Sequence, residues 1–326
     1  MQIAELSVLL VWGAATALAV ALVAFAVDLG RLSGAKVEAR ADARADERAM
    51  ATVGAPARDA GTDRPADVVR SRKAAGIGLS TTWLGTAMLL LAIVLRGVAA
   101  GRAPWANMYE FTLVGSFVAL AVFLAVGTRR DVRFLGSFVT GLVALFLVLG
   151  LNAFYVAATG VQPALQSYWL VIHVGVAITA TGIFTIAFVT SVLQLLRDGR
   201  DSGSPSLLRP GFRWLDTVPA PGALEALAFR LNAVGFVLWT FTLIGGAIWA
   251  EHAWGRYWGW DPKEVWTFVI WVVYAAYLHA RTTRGWSGRR AAWFVVVGYA
   301  CVLFNFTGVN LIFDGKHAYS GLDTDR

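Results

Sequence analysis

The densest chemistry in this 326-residue chain lies between Trp249 and Trp271, a stretch of 23 residues holding six tryptophans. Its centre reads Trp254-Gly255-Arg256-Tyr257-Trp258-Gly259-Trp260-Asp261-Pro262-Lys263-Glu264. Indole faces stack on flat apolar bodies, and glycines let the backbone approach them closely. Indole N–H groups, Arg256 or Lys263 can bond anionic side groups. A belt of indoles among lipid headgroups accounts for Trp249, Trp266 and Trp271. It has no need of the glycines or of the Asp-Pro-Lys-Glu sequence around Trp254, Trp258 and Trp260. The loop suits a large, flat, partly charged ligand at a membrane surface, and haem, an apolar disc with two propionates, fits that description.

Histidine is the usual axial ligand of protein-bound haem, and the chain has four. Two ligands of one iron must lie at similar depth. His173, at the outer end of the fifth apolar run, and His317, just beyond the last, meet that condition. His279 lies 15 residues past Glu264, about 22 Å down a helix rising 1.5 Å per residue. It has no histidine companion at that depth, so a haem there takes its second ligand from another polypeptide. A hydrogen bond to a neighbouring helix is the alternative, although ionisable groups within spans are commonly functional. Asp261 and Glu264 suit the start of a helix, which favours acids. Glu110, in the loop entering the third run, reads most simply as a solvated carboxylate. Cys301 is the single cysteine, which excludes a dithiol oxidoreductase, a thiolate zinc site and a c-type cytochrome.

These residues need a membrane scaffold to position them. Hydrophobic residues make up 57% of the chain and charged ones 15%, with a mean hydropathy of +0.61. A transmembrane helix needs roughly 20 apolar residues, and eight runs qualify: 5–27, 78–98, 107–127, 134–156, 168–196, 228–250, 264–281 and 291–313. The expected fold is therefore an all-α integral membrane protein of about eight helices with an external tryptophan-rich loop. The first run starts with Glu5 and no basic residue and is too long for a signal-peptide core, so it reads as a retained helix. If the spans alternate, 22 of the 28 Lys and Arg fall on one side, which marks that side as cytoplasmic. Both termini and the tryptophan loop then face outward. The net charge of +7 follows from this bias, so nucleic-acid binding is a poor reading of it. Residues 28–77, rich in Ala, Arg, Asp and Glu, read as a disordered cytoplasmic linker. The segment near Pro205–Gly222 reads as a loop with a short interfacial helix around Phe212 and Trp214. The domain plan is a first helix at 1–27, this linker, a seven-helix membrane domain at 78–313 with its loop at 251–264, and an external tail at 314–326.

The string Trp254-Gly255-x-x-Trp258-x-Trp260-Asp261-x-x-Glu264 resembles the WWD signature of haem-handling proteins in cytochrome c maturation. With Ser167-Tyr168-Trp169-Leu170-x-x-His173-Val174 before it, and Tyr277-Leu278-His279 and His317 after it, the layout resembles the CcsA/ResC type of the system II pathway. The resemblance runs from about residue 78 onward. It implies that His173 and His317 ligate an external haem, contacted by Trp254, Gly255, Trp258, Trp260, Asp261 and Glu264. It also implies that His279 ligates an intramembrane haem shared with a ResB-like subunit, and that His252 is no ligand. The implied activity is to move haem b, as transported substrate, to the outer face of a bacterial cytoplasmic membrane and present it to apocytochrome c. That would make the chain a subunit of a haem lyase complex served by a thioredoxin-like thiol reductase. The alternative is a cytochrome b-type electron-transfer subunit, which the unpaired His279 argues against.

Overall fold

The computed structural model describes residues 2–52, 65–160 and 167–317. Among them there is no strand. The helices are α1 Ile3–Thr52, α2 Pro65–Ala100, α3 Met108–Gly127, α4 Arg133–Ala153, α5 Tyr168–Asp201, α6 Pro221–Trp254, α7 Pro262–Thr283, α8 Arg289–Phe306 and the short α9 Gly308–Ile312. A 3-10 helix, Pro210–Thr217, precedes α6 and contains the Phe212 and Trp214 expected of an interfacial element.

Seven of the described helices are long and apolar enough to cross a membrane: those in α1 to α6, and α8 continued into α9. The chain is an all-α, multi-pass integral membrane protein. Eight spans were expected. The remaining one, α7, has 22 residues, about 33 Å at 1.5 Å per residue, yet is not among the seven. Its bulk comes largely from Trp266, Trp271, Tyr274 and Tyr277, amphipathic rings that carry little hydropathy for their size.

The linker expectation is corrected in its described flanks. Helix α1 continues to Thr52 and α2 begins at Pro65, while residues 53–64 lie outside the described residues. Ala, Arg and Glu are strong helix formers, so the composition that denies this segment a core still sustains a helix. Lys36 of the α1 extension donates to the Asp216 carbonyl at 2.6 Å, and Arg200 pairs with the Asp216 carboxylate at 2.8 Å.

The most extensive packing joins α1 to α2 and α5 to α6. One apolar cluster gathers α1 to α4 and the inner part of α5, and a second gathers α5 to α8 around Phe184, Trp239, Tyr274 and Tyr299. Without a hydrophobic drive inside lipid, small residues bring helices together. A Cβ at Gly235 would lie 2.6 Å from the Phe184 ring, so α6 could not hold its place against α5 with any larger residue there. The Tyr168 end of α5, the Trp254 end of α6, the Pro262 end of α7 and α9 meet around the tryptophan loop.

Candidate functional site

The loop is built by its helix ends. Helix α6 stops at Gly255, whose φ of +70° lets the chain turn in the left-handed region while its N–H bonds the Glu251 carbonyl. Asp261 then caps α7 in a reciprocal box with Glu264. Glu264 also accepts from Gly259 N at 2.8 Å and from Arg256 Nη1 at 3.2 Å. The two acids therefore hold the loop's shape. Trp260 sits between Gly259 and Asp261, whose N–H groups both donate to Glu264, at φ +61°, a conformation costing an L-residue about 1–2 kcal/mol.

Asp261 reaches further than its own helix. One carboxylate oxygen accepts from Lys316 N at 2.6 Å and the other from His317 Nδ1 at 2.7 Å. A Cβ at Gly315 would come within 2.6 Å of the same carboxylate, so the tail is docked in close contact. Burial opposes the Asp261 charge. The His317 hydrogen bond, with the Lys316 and Lys263 N–H groups, outweighs it and holds the carboxyl below its ordinary value.

His173 enters from α5. Its Nδ1 lies 2.9 Å from the Thr242 carbonyl of α6, and a carbonyl only accepts, so Nδ1 carries the proton and Nε2 keeps its lone pair. His317 is arranged alike by Asp261. Trp249 of α6 lies between them. It stacks on His173 at 6° and 6.1 Å and meets His317 at 5.6 Å. It is 1% exposed, so its expected place in an interfacial belt is corrected. Trp254 faces His317 edge-on at 4.8 Å, with Arg256 and Lys316 over its ring at 5.6 and 5.7 Å.

Both histidines line two cavities. The larger, about 980 Å³ counting its open mouth, runs under Trp105 and Asn107 toward Phe111, Val302 and Phe306. The smaller, about 420 Å³, lies beneath Tyr257 and Trp258. Lys263 lines both, and its ammonium donates to the Asn305 carbonyl. Trp105 Nε1, Trp249 Nε1 and Asn305 Oδ1 are buried beside the larger cavity without a hydrogen-bond partner. A mostly apolar chamber with a few inward polar groups and two imidazole lone pairs can hold a flat metal macrocycle bearing acidic side groups.

Not every expected residue converges here. Trp260 is 75% exposed and lines neither cavity, while Trp258 lines only the smaller. His279 is exposed on α7, far along the helix from this chamber. His252, excluded as a ligand, is exposed and bonds the Ile248 carbonyl of its own helix. Glu110 corrects the reading of a solvated carboxylate. It is fully buried, paired with Arg96 at 2.9 Å and Arg102 at 2.6 Å, and it accepts from Ala106 N at 3.0 Å. That ion triad fixes the Trp105–Met108 turn that roofs the larger cavity. Sequence reasoning also missed Thr242, Gly246 and Trp249. They recur at helical spacing along α6, and together they form the stripe that faces His173.

The family model for cytochrome C assembly protein matches residues 105–317, which span the roof turn, the loop and His317. The chain is 34% identical over 251 residues to the cytochrome c biogenesis protein CcsA of Chlamydomonas reinhardtii, covering 74% of this chain and 69% of that one. It is 35% identical over 252 residues to CcsA of Synechococcus sp. (strain CC9902), covering 71% and 83%. Among solved structures the fold resembles the cytochrome c heme lyase CcmF, with a TM-score of 0.58 at 14% identity over 94% of this chain. The chain spans about half of that larger protein, 47%, and the likeness concerns the fold alone.

Proposed function

This chain belongs to the cytochrome c assembly protein family and is a cytochrome c biogenesis protein of the CcsA type, and from that premise we propose that it carries haem b to the outer membrane face and presents it for attachment to apocytochrome c. The supporting observation is the pair His173 and His317, gathered around Trp249 with each Nδ1 held by an oxygen acceptor. A metal-binding imidazole commonly donates its other N–H to a carbonyl or carboxylate, which fixes its orientation and raises its basicity.

In this reading haem is the cargo, and its iron supplies the coordination site for the two imidazoles. Trp254 packs against His317, Gly255 turns the chain, Asp261 orients His317, and Glu264 keeps the loop folded. Trp258 closes the smaller cavity, and Trp260 stands at the rim toward the incoming protein. Lys263 and the unpartnered indole N–H groups suit the propionates. Among the described residues, the carboxylates and imidazoles of the site, Asp261, Glu264, His173 and His317, are each engaged in hydrogen bonds, so its share in thioether formation is to position the macrocycle. A thioredoxin-like thiol reductase keeps the apocytochrome thiols reduced. His279 serves a second, intramembrane haem whose other ligand comes from a ResB-like subunit, and its exposure on α7 supports that division. The loop and both termini face outward.

The test is the absorption spectrum of the protein purified with its partner. His173→Ala and His317→Ala are each expected to shift or remove the Soret band of the external haem, leaving the deeper haem in place. A wild-type complex without a Soret band, or variants with unchanged spectra, would refute the reading.

A further inference from the structure

A third cavity, about 720 Å³ counting the open space at its mouth, lies between α3, α4, α5 and α8. Its walls are almost wholly apolar, among them Val143, Phe146, Leu149 and Leu303. Along α3 it extends from Phe111 to Ala119, about 12 Å at 1.5 Å per residue, and so reaches from the level of the haem chamber toward mid-bilayer. Helix α3 packs on α4, and α8 packs on α5 and α7, but no comparable packing joins α4 to α8. The rim residue Leu149 is 42% exposed, so the cavity opens sideways where lipid surrounds the bundle.

This cavity and the chamber holding His173 and His317 share Phe111, Thr181, Val302 and Phe306. The partition between them includes the rings of Phe111 and Phe306, 5.2 Å apart and tilted by 30°, and side-chain rotation alone can widen it. On the far side of the chamber, the Asp261 and Glu264 hydrogen bonds tie the loop and tail over the histidines.

We infer that this cavity is a lateral portal through which haem passes from the lipid into the His173–His317 chamber. The inference rests on the proposed function, since it takes haem as the occupant of that chamber. A flat apolar ring suits the phenyl walls. The buried Ser116 hydroxyl, which has no hydrogen-bond partner, offers a contact to a propionic acid on the way. A lipid tail would explain the apolar walls but not the wall shared with the ligand chamber.

The test uses the full chain, purified free of haem and reconstituted in nanodiscs whose lipid carries dissolved haem. Leu149→Trp narrows the mouth from the lipid side. Leu145→Trp, one turn away and 53% exposed, is the matched control. Gly115→Leu fills the cavity from within, where an added Cβ meets nothing closer than 3.9 Å. Leu149→Trp and Gly115→Leu are expected to slow growth of the Soret band about tenfold, a modest rise in barrier. Leu145→Trp should load like the wild type, and all should reach the same final spectrum. Equal loading rates in a protein that binds haem overturn the portal alone. A co-purifying lipid lost in Leu149→Trp, with loading rates unchanged, assigns the cavity to lipid and overturns it too. No haem uptake by the wild type overturns both the portal and the function beneath it.

Discussion

Asp261 is both the cap of α7 and the anchor of the C-terminal tail, and the second role sets a pH dependence. Its carboxyl is held below the ordinary value of 3.8 despite burial. A depressed folded value means that its contribution is complete above about 3.8 and is lost as pH falls through the lower, folded value. In the haem-free protein, hydrogen exchange at the Lys316 amide, relative to its intrinsic rate at each pH, is therefore expected to be slow at pH 5 and to accelerate only below about pH 3.8. In Asp261→Asn it should be fast throughout. The same variant removes a charge-assisted bond of about 1.5–3 kcal/mol, and its haem affinity should fall about 10–100-fold, as for a lost outer-shell partner. Haem titration by absorbance measures it. The sequence marked Asp261, with Glu264, as suited to the start of a helix, which favours acids. It held no sign of His317, because 56 residues separate the partners.

At the scale of elements, α3 and α6 each carry a device that a local pattern conceals. Glu110 looked solvated because it stands at a span boundary, but Arg96 and Arg102 converge on it from the end of α2 and the turn beyond. Glu110→Gln leaves two buried or half-buried guanidinium groups without a counter-charge, a loss of about 3–5 kcal/mol when one partner of a buried pair is removed. It should appear as a clear fall in Tm with a loosened Trp105 turn. On α6, a Cβ at Gly246 would lie 2.7 Å from the His173 ring. Gly246→Ala is expected to displace the imidazole and cost about 1–3 kcal/mol of overpacking strain. Its haem spectrum should change while Gly245→Ala, whose added Cβ keeps an ordinary 3.7 Å from His173, stays like the wild type.

Across the whole molecule, His279 stands apart from the chamber that gathers His173 and His317. It is exposed on α7. The chain purified alone is therefore expected to bind haem only through the outer pair, and co-expression with a ResB-like subunit should add a second haem that His279→Ala removes. Pyridine haemochrome quantification per complex decides this, and equal haem content with and without the partner would count against a shared site. By itself, the sequence determined the helical membrane class, most of the spans, the family and the imidazoles worth watching. These follow from apolar runs about 20 residues long and from a motif contiguous in the chain. Only the tertiary structure decided that Trp249 is buried between two histidines, that Asp261 holds His317, that Glu110 is locked in an ion triad and that a side cavity adjoins the chamber. The reason is geometric. A helix turns about 100° per residue, so which side chains meet depends on how each helix is rotated and packed, and no single stretch of sequence contains that information.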